Sequence, residues 1–201
     1  MSWDLSRPVA EVAPTLLGAV VRHGEVAIRL TEVEAYEGAT DPASHAYRGR
    51  TPRNEVMFGP AGFAYLYFNY GMHWCLNVVC GPDGVASGTL LRAGEVVEGL
   101  ELARSRRGRS KDRDLARGPG RLAQALGLDA EQKGTPLFGG GPVLLEGPGT
   151  PSEAILSGPR VGVSAAADRP WRFWLAGNPY VSDYKRSPRA HPRPGPETGD
   201  R

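Results

Sequence analysis

Glu32 and Glu34 stand two residues apart in "VAIRLTEVEAY", a stretch in which apolar and polar residues alternate. Alternation of this kind marks a β-strand, whose successive side chains point to opposite faces. On strict alternation Arg29, Thr31, Val33 and Ala35 share one face, and Ile28, Leu30, Glu32, Glu34 and Tyr36 share the other. Two carboxylates on a mainly apolar face are candidates for general-base work on a bound water. Residues two apart on one strand face lie about 7 Å apart, which also meets the geometry of a carbohydrate hydrolase. In isolation, Glu34 reads equally as a strand carboxylate paired with Arg29 or Arg92.

A second concentration of chemistry is "YLYFNYGMHW", Tyr65 to Trp74. Six of the sixteen Phe, Trp and Tyr residues fall between Phe63 and Trp74, more than a core strand alone requires. Tyr65 and Tyr67 face one side of the strand, and Leu66 and Phe68 the other. Asn69 and Gly71, both tolerant of positive φ, bracket Tyr70 in a tight turn, which puts a tyrosine at an apex facing water. Such a ring either folds back onto its own hairpin or wedges into a stack of nucleic-acid bases. Unstacking costs a few kcal/mol, and aromatic surfaces return roughly 1–3 kcal/mol per stacked base, so two or three rings offset it.

The elements that must position these groups follow from pattern. "PVAEVAPTLLG" predicts a short helix interrupted at Pro14, and "AVVR", the turn "HGE" and "VAIRLTEVEAY" predict a β-hairpin. Residues 37–62 form a long connection in which His45, Tyr47, Arg48, Arg50, Arg53 and Asn54 supply many donors, the mark of a functional loop. "FAYLYF" and "HWCLNVVC" form a second hairpin, followed by the strand "TLLRAGEV", so the centre of the chain reads as antiparallel sheet. "EVVEGLELARSRRG" reads as a helix with a basic C-terminal end, and "DRDLARGPGRLAQALGL" as two short helices broken at Gly118 to Gly120. Strands are expected at "PVLLEG", "RVGVS" and "RFWLAG", and disorder from Ser187 onward.

With 201 residues, one domain over residues 1–186 and a tail over 187–201 are expected. The 27 Gly and 18 Pro favour a sheet-rich fold with many turns. A net charge of +2 is too small to diagnose a nucleic-acid partner by itself. Arg104, Arg106, Arg107, Arg109, Lys111 and Arg113 nevertheless put six cations within ten residues. Such a run is usually a solvated loop; here it is also a candidate phosphate contact, as is the helix start "GPGRL" with Arg121. Cys75 and Cys80 have neither disulfide-framework nor zinc-site spacing and read as small buried thiols in a reducing compartment. No secretory signal and no stretch near the roughly 20 apolar residues of a membrane span are visible, so a cytoplasmic location is expected.

The stretches "LLGAVV", "TEVEAYEG", "DPASHAYRGRTPRN", "MFGPAGFAYLYFNYGMHWCLNVV", "GVASGTLLRAGE", "RGPGRLAQALG" and "RVGVS" come in an order and spacing that resemble the alkyladenine (3-methyladenine, N-methylpurine) DNA glycosylase family over roughly residues 12–184. The resemblance implies a single α+β domain around a curved antiparallel sheet, similar to the C-terminal domain of formyltransferases, with peripheral helices and a hairpin that enters the DNA minor groove. It implies a monofunctional base-excision-repair enzyme, acting as a monomer on double-stranded DNA that contains damaged purines. Neither metal nor cofactor is implied, and no covalent lysine adduct. Glu34 matches the position that deprotonates the attacking water, and Arg92 a residue beside that water and the sugar-phosphate. Tyr36, His45 and Tyr67 match the residues that hold the flipped base, with Tyr36 stacking on it. Asn77 matches the position that excludes the exocyclic amino group of undamaged guanine, and Tyr70 the side chain that fills the gap in the duplex. Glu32, on the same face as Glu34, ranks second as the base. A catalytically silent nucleic-acid-binding module is the rival reading, since fold does not fix function.

Overall fold

The computed structural model describes residues 3–69, 71–147 and 151–190. Its spine is a hairpin of β1 (Val20–His23) and β2 (Val26–Glu37), turning at Gly24, whose φ of +57° favours glycine. β3 (Ala64–Asn69) and β4 (His73–Val79) form the second expected hairpin, with Asn69 opposite His73. β5 (Ser87–Glu98) joins the two hairpins, pairing with β4 and, from Ala27 to Glu37, with β2. β6 (Val143–Glu146) adds to β1, β8 (Arg172–Leu175) lies on β2 at Glu32 to Glu34, and β7 (Ile155–Gly158) pairs with β8. The result is one curled antiparallel sheet in a single α+β domain, with β3-β4-β5-β2-β1-β6 as its main path.

Three short helices complete it. α1 (Val9–Val12) runs into a 3-10 turn at Ala13–Leu16 that contains Pro14, and buries Val9, Val12, Ala13 and Leu16. α2 (Leu100–Arg107) packs on α3 (Pro119–Leu126), which lies against β4 and β5. α3 is bounded by proline at its first position and by Gly127 in the left-handed conformation, and it buries Leu122, Ala123, Ala125 and Leu126. Each buried leucine contributes about 1.5–3 kcal/mol, more than enough to hold an eight-residue helix that would not form alone.

Two bulges decide where the carboxylates point. Along the β2–β5 ladder Leu30 is opposite Gly94, Glu32 is opposite Ala93 and Val33 is opposite Leu91. Thr31 is therefore an extra residue in β2, and Arg92 an extra residue in β5. Val26, Ile28 and Leu30 belong to the main core, and so do Val33 and Ala35, so the alternation changes phase at Thr31. This corrects the strict alternation expected from sequence. Glu32, Glu34 and Tyr36 do not share a face with Ile28 and Leu30; they point away from the main core while the apolar residues on either side of the bulge enter it. Gly94 is required beside the bulge, because a Cβ there would sit 2.4 Å from Ile28 Cγ2 and 2.5 Å from the Arg29 carbonyl oxygen.

Other expectations shift in smaller ways. Val96 and Val97 belong to β5, and the helix begins only at Leu100. Gly99 breaks the two apart at φ +69°, where a Cβ would meet the Glu25 carbonyl oxygen at 2.4 Å. "RVGVS" is not a strand; the strand before β8 is Ile155–Gly158, and residues 159–171 form a loop anchored by buried Arg160. Of the tail from Ser187, residues 188–190 form a turn and residues 191–201 lie outside the described residues. Cys75 and Cys80 are free and buried. Among the described residues no helix is long and apolar enough to cross a membrane.

Candidate active site

β2, β3, β4 and β5 meet the 38–48 loop, the 160–163 loop and the start of α3 around a cavity of about 340 Å³. That size lies near the lower end of the roughly 300–1,000 Å³ usual for small-molecule pockets. Tyr36, His45, Tyr67, Asn77 and Arg92, five positions singled out from sequence, all line it. Glu34 does not. It lies just behind the wall, fully buried, and its three polar contacts, Tyr36, Arg92 and Val161, are themselves wall residues.

The two glutamates are held differently. Glu34 Oε1 accepts the Val161 backbone N–H at 2.7 Å, Oε2 accepts the Tyr36 hydroxyl at 2.8 Å, and Arg92 Nε stands 3.5 Å from Oε1. Glu32 is also fully buried, but its Oε1 accepts from Arg172 Nε at 2.6 Å, Arg92 Nε at 2.9 Å and Ser182 Oγ at 3.1 Å, while Oε2 accepts the Ser182 N–H at 2.7 Å. Two carboxylates and two guanidiniums thus balance in charge. Burying ions is tolerable only with such pairing and hydrogen bonding. The β5 bulge delivers Arg92 between both glutamates. Its Nη1 and Nη2 make no hydrogen bond among the described residues, and the side chain, 10% exposed, borders the cavity.

The aromatic wall is polarised by its setting. Burial, and then the Glu34 charge, hold the Tyr36 phenol well above its ordinary pKa, so it stays protonated and donates to Glu34. Tyr65 is pushed up to about 12 by burial, and Tyr67 higher still for the same first reason. His45 stands at the rim with its surface exposed, its Nδ1 3.2 Å from the Tyr65 hydroxyl and its ring edge-on to Tyr67 at 4.4 Å. Protein crowding and then the Arg53 cation hold its pKa below the usual value, which leaves the imidazole neutral at pH 7. Asn77 is fixed by its Nδ2 donating to the Tyr65 carbonyl at 3.0 Å.

Sequence inspection assigned no role to Asp41, Arg160, Val161, Arg172 or Ser182. Arg160 and Asp41 are both buried and joined by two hydrogen bonds of 2.5 and 2.8 Å, and Arg160 Nη1 also donates to the Ala35 carbonyl at 2.9 Å. Its Cζ stands 4.6 Å from the Tyr36 ring centroid and 5.5 Å from that of Trp171, while Nε has no hydrogen-bond partner among the described residues. These residues lie more than a hundred positions from their partners, so no local pattern connects them. Asp41 opens "DPASHAYRGRTPRN" and Arg160 and Val161 open "RVGVS", so the resemblance marked these stretches without giving those residues a role.

The cationic run divides. Arg104 pairs with Asp112 at 2.6 Å, Arg106 donates to the Ala125 carbonyl at 2.9 Å, and Arg107 donates to the Leu115 carbonyl at 2.9 Å. These three tie α2 to its neighbours. Arg109, Lys111 and Arg113 are exposed, and their side chains make no hydrogen bond or ion pair among the described residues. Arg121 is exposed at the start of α3, 3.8 Å from Asp114. Tyr70 lies outside the described residues; beside it Asn69 lines the cavity, and Phe68 and Met72 are exposed. No cluster of three or more His, Cys, Asp or Glu among the described residues is arranged to hold a metal ion.

A family model described as methylpurine-DNA glycosylase matches residues 4–179. Provisionally named 3-methyladenine DNA glycosylases are similar over most of both chains. The protein of Nocardia farcinica is 58% identical over 186 residues, 89% of this chain and 88% of its own. That of Frankia casuarinae is 56% identical over 187 residues, 88% of each chain, and that of Streptomyces avermitilis 53% over 189 residues, 90% of this chain and 89% of its own. The chain belongs to the methylpurine-DNA glycosylase family and is a DNA glycosylase, a hydrolase of N-glycosyl bonds.

Proposed function

We propose that the protein flips alkylated or deaminated purines, 3-methyladenine, 7-methylguanine, hypoxanthine and ethenoadenine, out of double-stranded DNA and hydrolyses their glycosidic bond with water activated by Glu34. The observation that carries this reading is the contrast in occupancy of the two glutamates. Glu32 is engaged by two arginines and Ser182, whereas Glu34 has only a phenol, one backbone N–H and a shared arginine at the cavity wall.

In the proposed step the C1′–N bond breaks with its electron pair leaving on the purine, and water oxygen bonds to C1′. Glu34 takes the water proton, a contribution typically worth about 10²- to 10⁴-fold, and its charge steadies the positive sugar. A cationic alkylpurine leaves neutral and Glu34 releases its proton to solvent; hypoxanthine or ethenoadenine takes up a proton from solvent water as it departs, which balances the one Glu34 releases. Arg92 lies beside the water and the sugar-phosphate, with unengaged Nη groups toward the cavity. Tyr36 stacks on the base, Tyr67 and His45 hold it from the other walls, and Asn77 excludes the guanine amino group. Tyr70 fills the gap in the duplex. Arg109, Lys111 and Arg121 are the cations that meet phosphates, with Arg104, Arg106 and Arg107 contributing less because they are already engaged.

Single-turnover base release from duplexes carrying one hypoxanthine, ethenoadenine or methylated purine, with wild type beside Glu34→Gln, tests the proposal. Release by wild type that is lost in the variant, with DNA binding retained, is expected. An E34Q protein that releases base as fast as wild type would sink the mechanism.

A further inference from the structure

Both tyrosines assigned to the base-holding wall carry an arginine on one ring face. Arg160 Cζ stands 4.6 Å from the Tyr36 centroid, and Arg53 Cζ 5.9 Å from that of Tyr67. Tyr36 and Tyr67 line the cavity, and neither arginine does. Arg160 is 1% exposed, locked by Asp41 and the Ala35 carbonyl; Arg53 is exposed and held by its Nη2 donating to the Phe68 carbonyl at 3.1 Å. Each ring therefore meets a guanidinium that is not itself part of the cavity wall.

A ring attracts a cation because its faces are negative. When one face already meets a guanidinium, π density is drawn toward it and the opposite face becomes a poorer receptor for a second positive charge. Two positive groups on opposite sides of one ring also repel directly. A neutral base stacks mainly by dispersion and burial and is little affected. Unscreened tyrosines would favour cationic alkylpurines. Asp41 cancels much of the Arg160 charge at a distance, so the carboxylate opposes what the guanidinium does.

We infer that Arg160, with Arg53 as a weaker second, sets the charge preference of the pocket by occupying one face each of Tyr36 and Tyr67, shifting excision toward neutral purines. The inference rests on the reading of those tyrosines as the walls that hold the flipped base. Arg160 acts through Tyr36 and Arg53 through Tyr67; neither is a catalytic residue.

The test is the ratio of single-turnover release at saturating enzyme from two duplexes of one sequence, carrying either 7-methylguanine, a cation, or hypoxanthine, neutral. Both rates come from one preparation, so an inactive fraction cancels. Arg160→Gln is expected to raise the cationic-to-neutral ratio about three- to tenfold, and Arg53→Gln to raise it about twofold. Asp41→Asn, which unmasks the Arg160 charge, lowers the ratio, and Arg160→Lys leaves it near the wild-type value. Arg50→Gln is the control, since Arg50 stands over Phe58, outside the cavity lining, at 5.8 Å; it leaves the ratio unmoved.

A purely structural role would lower both rates by one factor in every variant, and an unmoved ratio in Arg160→Gln overturns the inference. So does Asp41→Asn moving in the same direction as Arg160→Gln. If Arg160→Gln shows no cooperative melting transition, the exposed Arg53→Gln carries the test, and an unchanged ratio there is decisive against it. Wild type releasing neither base would instead sink the functional reading on which the inference stands.

Discussion

Glu32 and Glu34 have the same side chain, the same burial and the same strand, and they share Arg92, yet Glu32 is bound by a second arginine and Ser182 while Glu34, the proposed base, is held besides by a phenol and one backbone N–H. The difference lies in what faces them. β8 and the 182 region bring Arg172 and Ser182 onto Glu32, so that with Arg92 its Oε1 accepts from three donors and its Oε2 from the Ser182 N–H. The 160–163 loop brings to Glu34 only the Val161 N–H and leaves the neighbouring wall to Tyr36 and Arg92. On the proposed assignment, a buried carboxylate is structural or reactive according to how completely its neighbours satisfy it.

The largest expected effect is on the reactive member. Glu34→Gln should slow single-turnover base release by about 100-fold or more, read at a temperature where the variant is folded. Next is the structural member. Glu32→Gln leaves two buried guanidiniums short of a counter-charge and should cost about 3–5 kcal/mol, read as a lower denaturant midpoint. An E32Q protein that melts like wild type but releases no base would exchange the two roles. Ser182→Ala removes one hydroxyl donor to Glu32 and keeps the backbone donor; it should lose about 1 kcal/mol, with the release rate unmoved at a temperature where both proteins are folded.

The smallest effect concerns the rim. His45 has a folded-state pKa below its unfolded value, so the unfolded chain binds more protons and stability falls as pH drops from about 7 through the folded pKa. His45→Gln should abolish that part of the acid destabilisation, seen by comparing denaturant midpoints at about pH 7.5 and about pH 5.5. If both proteins lose stability equally over that interval, the histidine is not held neutral by its surroundings.

The two hairpins were legible in the sequence because alternation and turn residues act over a few positions. So was the set of cavity residues, since the matching motifs carry Tyr36, His45, Tyr67, Asn77 and Arg92 to one place. The phase change at Thr31 was not legible, because the bulge exists only in the pairing of β2 with β5. Nor was the continuation of β5 through Val96 and Val97, where local helix pattern yields to pairing with Ile28 and its neighbours. Asp41 with Arg160, and Glu32 with Arg172, are long-range pairs 119 and 140 residues apart, so only the folded sheet brings them together.

The extra residue in β2 has a consequence for how this strand can vary. Without Thr31, Leu30, Val33 and Ala35 would still alternate with Glu32, Glu34 and Tyr36, whereas losing Val33 would turn Glu34 and Tyr36 into the apolar layer and Ala35 away from it. Both side chains would still be present in the chain, and neither would lie at the cavity wall. Apart from Thr31, natural variation in this strand should therefore accumulate as exchanges of one residue for another, with insertions and deletions confined to the loops beyond its ends.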